Sequence, residues 1–163
     1  MSRRRASRAP RVRGKGVPPE LFVDTSAWYP AVVRSHPDHV AVAGAMAERV
    51  RRGVRIVTTN LIVGETHALL LQRAGRNAAL QFVQTVREPP ILIVISSAEL
   101  ERDAVAQWLE KFAVQDFSLV DAVSFAVMKG RKMGDALTLD RHFAVAGFAM
   151  VPGGSKRRYS GHD

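Results

Sequence analysis

The chain has 163 residues, a formal net charge of +9 and no cysteine, and 47% of its residues are hydrophobic. This size and composition predict a single globular domain with a core of its own. The lack of cysteine excludes disulfides and thiolate metal sites, and it is typical of a cytoplasmic protein. The sequence contains no apolar run of about 18 residues, so we predict no membrane-spanning segment.

The positive charge is concentrated near the two ends of the chain. Residues 1–16 contain seven arginines and lysines and no acid, and residues 156–158 add three more basic side chains. Residues 17–155 hold 14 basic and 14 acidic residues, so this part is neutral. Basic ends attract phosphate without regard to sequence, although a solubilising segment, an over-long translational start or a transit peptide also explains the first one. The expected organisation is a disordered basic arm at 1–19, a folded domain at 20–152 and a basic tail at 153–163.

Predicted strands and helices alternate along the folded part. In chain order they are a strand at 21–23, a short segment to Pro30, a helix over 38–52, a strand at 55–59, helices over 61–73 and 77–87, a strand at 91–95, helices over 97–112 and 118–129, a strand at 136–139, a short helix or turn at 141–147 and a last strand at 148–152. The strands are short and apolar on both faces. We therefore predict an α/β fold with a mainly parallel central sheet covered by helices on both sides.

Two aspartates directly follow predicted strands. Asp24 ends LFVD and Asp140 ends LTLD. In open parallel sheets, binding sites form beyond the carboxyl ends of the strands, so the two carboxylates should lie at one edge of the sheet. Each aspartate could instead only cap the helix that follows it.

Two further acids lie on predicted helices. Glu65 falls between Leu61 and Leu69 on what reads as an apolar stripe, where an ionised side chain would cost several kcal/mol unless it is paired or binds a cation. A partner arginine or a position at the protein surface would also explain it. Asp121 lies on SLVDAVSFAVM, a helix that is apolar nearly all round and therefore expected to be buried. Ser118 and Asp121 also have the form of a capping box, which alone would account for this acid.

Four carboxylates brought together would repel one another unless a cation lay between them. An all-carboxylate set without histidine favours Mg²⁺ or Mn²⁺ over zinc. One or two such ions could polarise a phosphate oxygen. The pattern therefore predicts a metal-dependent hydrolase that cleaves phosphodiester bonds.

The stretches FVDTSAW, NLIVGETHALL, FSLVDAVSFAVM and ALTLDRHF occur in this order. In that order they resemble the PIN-domain nucleases, and in particular the VapC-like toxins of bacterial toxin–antitoxin pairs. The resemblance extends over about residues 20–152 and implies a three-layer α/β/α sandwich. It also implies Mg²⁺- or Mn²⁺-dependent endonuclease activity on RNA, a homodimer, and inhibition by a small antitoxin. The acids that it assigns to catalysis and metal binding are Asp24, Glu65, Asp121 and Asp140, with Asp116 as a supporting acid.

Several residues near these acids are candidates for binding the RNA. The resemblance places a small hydroxyl residue at Ser26, and Thr25 is also available; either could meet a phosphate beside helix amides. Arg141 and His142 could hold the substrate or have a structural role. Trp28 and Tyr29 could stack on unpaired bases, or they could belong to the core or to a dimer contact.

Two other functions compete with the nuclease. An aspartyl phosphatase would have D-x-D at the first strand end, but the third position here is Ser26. A non-catalytic or housekeeping PIN domain could act as an RNA-binding module. The presence of all four acids argues against a domain that has lost catalysis.

Overall fold

The computed structural model describes residues 17–153. Its elements are β1 (Glu20–Val23), α1 (Thr25–Val32), α2 (His39–Arg51), β2 (Arg55–Thr59), α3 (Asn60–Arg73), α4 (Arg76–Thr85), β3 (Ile91–Val94), α5 (Ala98–Ala104), α6 (Leu119–Gly130), β4 (Asp135–Leu137), α7 (His142–Val145) and β5 (Ala149–Val151). Helix α5 continues as a π-helical segment, Val105–Glu110. Most of the predicted basic arm and tail falls on 1–16 and 154–163, outside the described residues, so these two assignments stay predictions.

Local sequence signals explain where most of the helices begin and end. The side chains of Thr59, Ser97 and Ser118 accept hydrogen bonds from backbone amides at the start of α3, α5 and α6, which satisfies amides that have no partner within the helix. Gly53 and Gly75 follow α2 and α3 with φ of 77° and 89°, a conformation that glycine adopts without strain. The segment after β1 is a full helix, α1, with Pro30 inside it.

The five strands form one sheet in the order β3-β2-β1-β4-β5, and every neighbouring pair is parallel. The predicted α/β fold with a parallel sheet is therefore confirmed. Strand β4 is shorter than predicted, since it ends at Leu137. The amide of Thr138 still donates to the carbonyl of Val151 at 3.0 Å, so Thr138 remains tied to the sheet.

The sheet order reverses direction at β1. The chain moves outward from β1 to β2 and β3, and then returns to place β4 on the other side of β1. Because parallel crossovers are right-handed, this reversal puts the helices before β3 and those after it on opposite faces. The contacts agree, since α1 to α4 pack among themselves and α6 packs with both α5 and α7.

The core lies against the central strand. Leu21, Phe22 and Val23 of β1 have no solvent exposure, which is why this strand carries apolar residues in succession and not in alternation. A reversal of strand order opens a crevice between the two strands concerned, at their carboxyl ends. Here the crevice lies between β1 and β4. Among the described residues, no helix is both long enough and apolar enough to span a membrane.

The opposite, amino edge of the sheet is closed by an ion pair. Glu20 accepts hydrogen bonds from Arg131 Nε at 2.9 Å and Arg131 Nη2 at 2.7 Å, and Arg55 Nη1 lies 3.6 Å away. The hydrogen bonds from Arg131, with the positive charges of Arg131 and Arg55, lower the pKa of Glu20 despite its burial. This two-pronged contact ties β1 to the end of α6.

We expect Glu20→Gln to lower the free energy of unfolding by about 1 kcal/mol, near the low end for a charged hydrogen bond because Arg131 is partly exposed. The pKa of Glu20 is lower in the folded chain than its ordinary value of 4.5. The carboxylate therefore stabilises the fold above pH 4.5, and this contribution is lost as pH falls through the folded pKa. Urea denaturation of both chains at pH 7 and pH 3 measures the effect. A difference that persists unchanged at pH 3 would contradict this explanation.

Candidate active site

Asp24 stands at the end of β1, where it caps α1. Its Oδ2 atom accepts hydrogen bonds from Ser26 N at 3.1 Å, Ser26 Oγ at 2.7 Å and Thr138 Oγ1 at 3.2 Å. The residue is only 5% exposed. Asp24 therefore caps α1, which was one of the two alternatives for this residue. Two of its donors, the hydroxyls of Ser26 and Thr138, also connect the carboxylate to the neighbouring strand β4.

Hydroxyl groups bind the end of β1 to the end of β4. Ser26 Oγ accepts from Leu139 N at 2.8 Å, and Thr138 Oγ1 accepts from Asp140 N at 3.0 Å. The Ser26 hydroxyl thus donates to Asp24 and accepts from Leu139 at once. These contacts favour a positioning role for Ser26 over direct contact with a phosphate.

Asp121 has a structural contact of its own at the start of α6. Its Oδ2 accepts from Ser118 N at 2.8 Å, and its amide donates to Ser118 Oγ at 3.0 Å, so the predicted capping box is present. The prediction that α6 is buried is also met. Asp121 is 8% exposed. The capping box fixes the side chain at the site and leaves its second oxygen without a hydrogen bond among the described residues.

Asp140 meets Asp121 beside a histidine. The Nδ1 atom of His142 lies 3.4 Å from Asp121 Oδ2 and 3.6 Å from Asp140 Oδ2, while the amide of His142 donates to Asp140 Oδ1 at 2.9 Å. One ligand atom from each of the three residues lies within 4.8 Å of the others. The structure therefore adds a histidine to the acids expected at the site, because the short turn after β4 brings the imidazole back over the carboxylates.

An aromatic cluster beneath the site holds the histidine. The ring of Phe117 packs edge-on against His142 at 5.3 Å between centroids and against Phe125 at 5.1 Å. Phe125 in turn packs against Phe143 at 5.0 Å. Phe125 and Phe143 are fully buried, so α6 and α7 present Asp121 and His142 from a rigid base.

Glu65 does not occupy the buried stripe that the sequence suggested. The face of α3 that packs inward carries Ile62, Val63, Thr66 and Leu70, whereas Glu65 is exposed. The argument from burial of a charge is therefore wrong, and the surface alternative holds. Its carboxylate nevertheless reaches the site, since Oε2 accepts a 2.5 Å hydrogen bond from Thr25 Oγ1 at the start of α1. Glu65 and Thr25 thus form a second polar pair beside Asp24.

The remaining candidates differ in position. Asp116 is exposed on the approach to α6, and Arg141 is exposed immediately after Asp140. Trp28 is 5% exposed and its Nε1 donates to Thr58 Oγ1 at 3.3 Å. Stacking of Trp28 on bases is therefore wrong, and this side chain belongs to the core. Tyr29 is half-buried and packs edge-on against the His36 ring.

The electrostatics of the site are those of crowded acids. Burial raises the pKa of Asp24, and the negative charge of Asp121 raises it further, while the hydrogen bonds from Ser26 act in the opposite direction. A buried carboxylate that also faces a second negative charge gains stability from a nearby cation. The four predicted acids do not form one cluster, since the three-residue group contains neither Asp24 nor Glu65.

The donor atoms suit a divalent cation. The Nδ1 atom of His142 is inaccessible to solvent and has no hydrogen-bond partner among the described residues, although it faces two carboxylates. Buried polar atoms rarely lack a partner. A cation between Asp121, Asp140 and the imidazole would satisfy all three groups, and Asp24 stands next to them with one oxygen free of described hydrogen bonds.

The sequence alone predicts that His142 holds the substrate or has a structural role. The signal that could have identified its position is the spacing D-x-H after a strand end. In a tight turn, the carboxylate of an aspartate commonly accepts a hydrogen bond from the amide two residues later. This contact brings the side chain of that later residue, here His142, back toward the acid.

We expect Asp24→Asn to raise the thermal midpoint of the chain in EDTA at pH 7 by about 2–4 °C, the shift that roughly 1 kcal/mol produces at this size. Asparagine caps a helix as well as aspartate does, and because it is neutral it removes the cost of burying a charge and the repulsion by Asp121. Because the folded pKa of Asp24 is raised, the penalty is present above that pKa and disappears as pH falls toward 3.8. Calorimetry at pH 7 and pH 3.5 measures both values. A lower midpoint for the variant at pH 7 would show that the hydrogen bonds outweigh the repulsion.

The chain matches a known family over almost all of its described part. The match is to the PIN domain and extends from residue 21 to residue 149. VapC20 of Mycobacterium tuberculosis, a 23S rRNA-specific endonuclease, is 31% identical over 131 residues, which cover 80% of this chain and 97% of VapC20.

Solved structures give the same result. The crystal structure of M. tuberculosis VapC20, described as a sarcin–ricin loop cleaving toxin, superposes with a TM-score of 0.73 at 31% identity over 79% of this chain and 96% of that one. VapBC2 from Rickettsia felis, bound to a DNA fragment from its promoter, superposes with a TM-score of 0.60 at 12% identity over 80% and 96% of the two chains, a likeness of fold. The resemblance inferred from the four motifs is confirmed, as is the prediction of a nuclease: the chain belongs to the PIN-domain family and is similar to its VapC-type endonucleases.

Proposed function

We propose that this protein is a metal-dependent endoribonuclease that acts as the toxin of a VapBC-type toxin–antitoxin pair. The observation that carries the proposal is the meeting of Asp121, Asp140 and His142 beside Asp24 at the carboxyl edge of the sheet. The PIN-domain match and the identity to VapC20 give the reaction class. The ion is Mg²⁺ or Mn²⁺, since most of the donor atoms are carboxylate oxygens.

Each acid has a distinct role in this proposal. Asp24, Asp121 and Asp140 would hold the cation, which would supply a Lewis acid for a phosphate oxygen. Glu65, held by Thr25, orients the attacking water or holds a second cation. Asp116 supports the cluster from the approach to α6.

Residues around the cluster bind the RNA and keep the acids in place. Thr25 and the exposed Arg141 contact the phosphate. Ser26 keeps the Asp24 carboxylate oriented through its two hydrogen bonds. In this proposal, the residues near the acids bind the RNA backbone and not a particular base.

The substrate that we propose is the sarcin–ricin loop of 23S ribosomal RNA. The support is the activity of VapC20, whose whole length corresponds to most of this chain. We also propose that the protein acts in the cytoplasm, where it would meet a ribosomal substrate. We further propose a homodimer and a small antitoxin partner, both of which the VapC resemblance implies. The VapBC2 complex of another protein of this fold supports the antitoxin partner.

The substitution Asp121→Asn tests the catalytic role. The asparagine side chain can still accept from Ser118 N, so the capping box and the fold should remain, but a neutral amide is a poor ligand for a hard cation. We expect at least a ~100-fold loss of cleavage of a labelled RNA in Mg²⁺ or Mn²⁺, more than is usual for a residue that only supports a ligand. EDTA should abolish cleavage by the unmodified chain.

A matched control is Asp103→Asn, because Asp103 is an exposed aspartate on α5. It should cut as fast as the unmodified chain. Equal cleavage by the Asp121 variant would rule out the proposed site and point to a contaminating ribonuclease. Binding of RNA without cleavage by the unmodified chain would favour the alternative of a non-catalytic or housekeeping RNA-binding module.

The substrate proposal has a separate test. We expect the purified chain with Mg²⁺ to cut 23S RNA of intact ribosomes at a single position within the sarcin–ricin loop, mapped by primer extension. Total transfer RNA and messenger RNA, incubated in parallel, should stay intact. Cleavage of transfer RNA in place of 23S RNA would refute the ribosomal substrate and leave the nuclease assignment standing.

A further inference from the structure

The cluster at the carboxyl edge contains one nitrogen atom among its oxygens. His142 Nδ1 lies 3.4 Å from Asp121 Oδ2 and 3.6 Å from Asp140 Oδ2. It is closed to solvent and without a hydrogen bond in the described part of the chain. Phe117 packs edge-on against the imidazole ring, and the backbone amide of His142 is bonded to Asp140, so both the ring and its backbone have a contact at the site.

The spacing of these atoms is that of neighbouring ligands on one ion. Around an octahedral ion with bonds of about 2.1 Å, adjacent ligand atoms lie roughly 3 Å apart, and slightly more for longer bonds. The nitrogen meets both oxygens at separations just above that value, too long and too poorly directed for hydrogen bonds. A bare Nδ1 lone pair that faced two carboxylates would be disfavoured, so a positive charge must lie between them, either a proton on the ring or a metal ion.

We propose that His142 is a metal ligand through Nδ1 and that it shifts the preference of the site from Mg²⁺ toward Mn²⁺. This inference rests on the proposed metal-dependent function and adds the ion selection. Mg²⁺ prefers oxygen ligands alone, whereas imidazole nitrogen is a better partner for transition metals. A mixed set of three carboxylates and one imidazole therefore favours Mn²⁺ more than four carboxylates would.

The test measures binding of each ion to the full chain without RNA. Isothermal titration gives the affinities for Mn²⁺ and Mg²⁺, and pulsed electron paramagnetic resonance of bound Mn²⁺ detects a coordinated imidazole nitrogen directly. We expect nitrogen modulation in the unmodified chain and none in His142→Ala. The same variant should lose about 10-fold in Mn²⁺ affinity, the lower bound for removal of a group that orients a site, and less than about 2-fold in Mg²⁺ affinity.

A second variant keeps the test valid if removal of the ring loosens the turn. His142→Asp leaves a ligand in place but makes the set all oxygen, so the ratio of Mn²⁺ to Mg²⁺ affinity should fall about 10-fold below that of the unmodified chain. His67→Ala is the matched control, since His67 lies on α3 away from the cluster. It should leave the ratio and the nitrogen signal unchanged.

The outcomes separate this inference from the proposed function. Binding of Mn²⁺ without nitrogen modulation would overturn the role of His142 as a ligand, and an equal loss of both ions in His142→Ala would overturn its effect on the choice of ion. The metal-dependent nuclease stands in both cases. Failure of the unmodified chain to bind either ion would overturn both. Nitrogen modulation that disappears only in the two His142 variants would establish the ligand.

Discussion

The parallel pairing of β1 with β4 is the constraint from which the candidate site follows. The register sets Phe22 against Ala136 and Val23 against Leu137, and the amide of Asp24 donates to the carbonyl of Leu137 at 3.1 Å. Both strands therefore end at the same level, and Asp24 and Thr138 leave the sheet side by side. Without this pairing, the two halves of the site would belong to separate parts of the chain.

The acids of the site also serve the fold, and this double use explains how a cluster of like charges persists. Asp24 caps α1, Asp121 completes a capping box, and Asp140 accepts from the amide of His142. Each hydrogen bond to the carboxylate offsets part of the cost of burial and repulsion. What remains is the raised pKa of Asp24, caused first by burial and to a smaller extent by the negative charge of Asp121.

The sequence was sufficient for the fold because the signals that decide it are local. Apolar runs mark the strands, Gly53 and Gly75 end helices, and alternation of elements predicts the parallel sheet. Local signals also make Asp24, Asp121 and Asp140 candidates for the site, since each stands at a strand end or a helix start. The expectation that Glu65 lies on the buried stripe of α3 is wrong. The buried face of α3 is set by packing against α1 and α4, and helical periodicity alone does not specify it. The sequence does not predict the contact of His142 with Asp121, because only the folded chain brings these two residues together.

The separation of β1 from β4 along the chain has a consequence for synthesis. The first candidate acid is in place when residue 24 is made, yet the strand beside it ends at residue 137 and the last candidate ligand is residue 142. A chain that emerges from the ribosome amino end first cannot assemble the site until residue 142 has been translated. If the substrate is ribosomal RNA, the ribosome that makes this protein is therefore exposed to a nascent chain whose active site is still incomplete while residues 25 to 141 are being added.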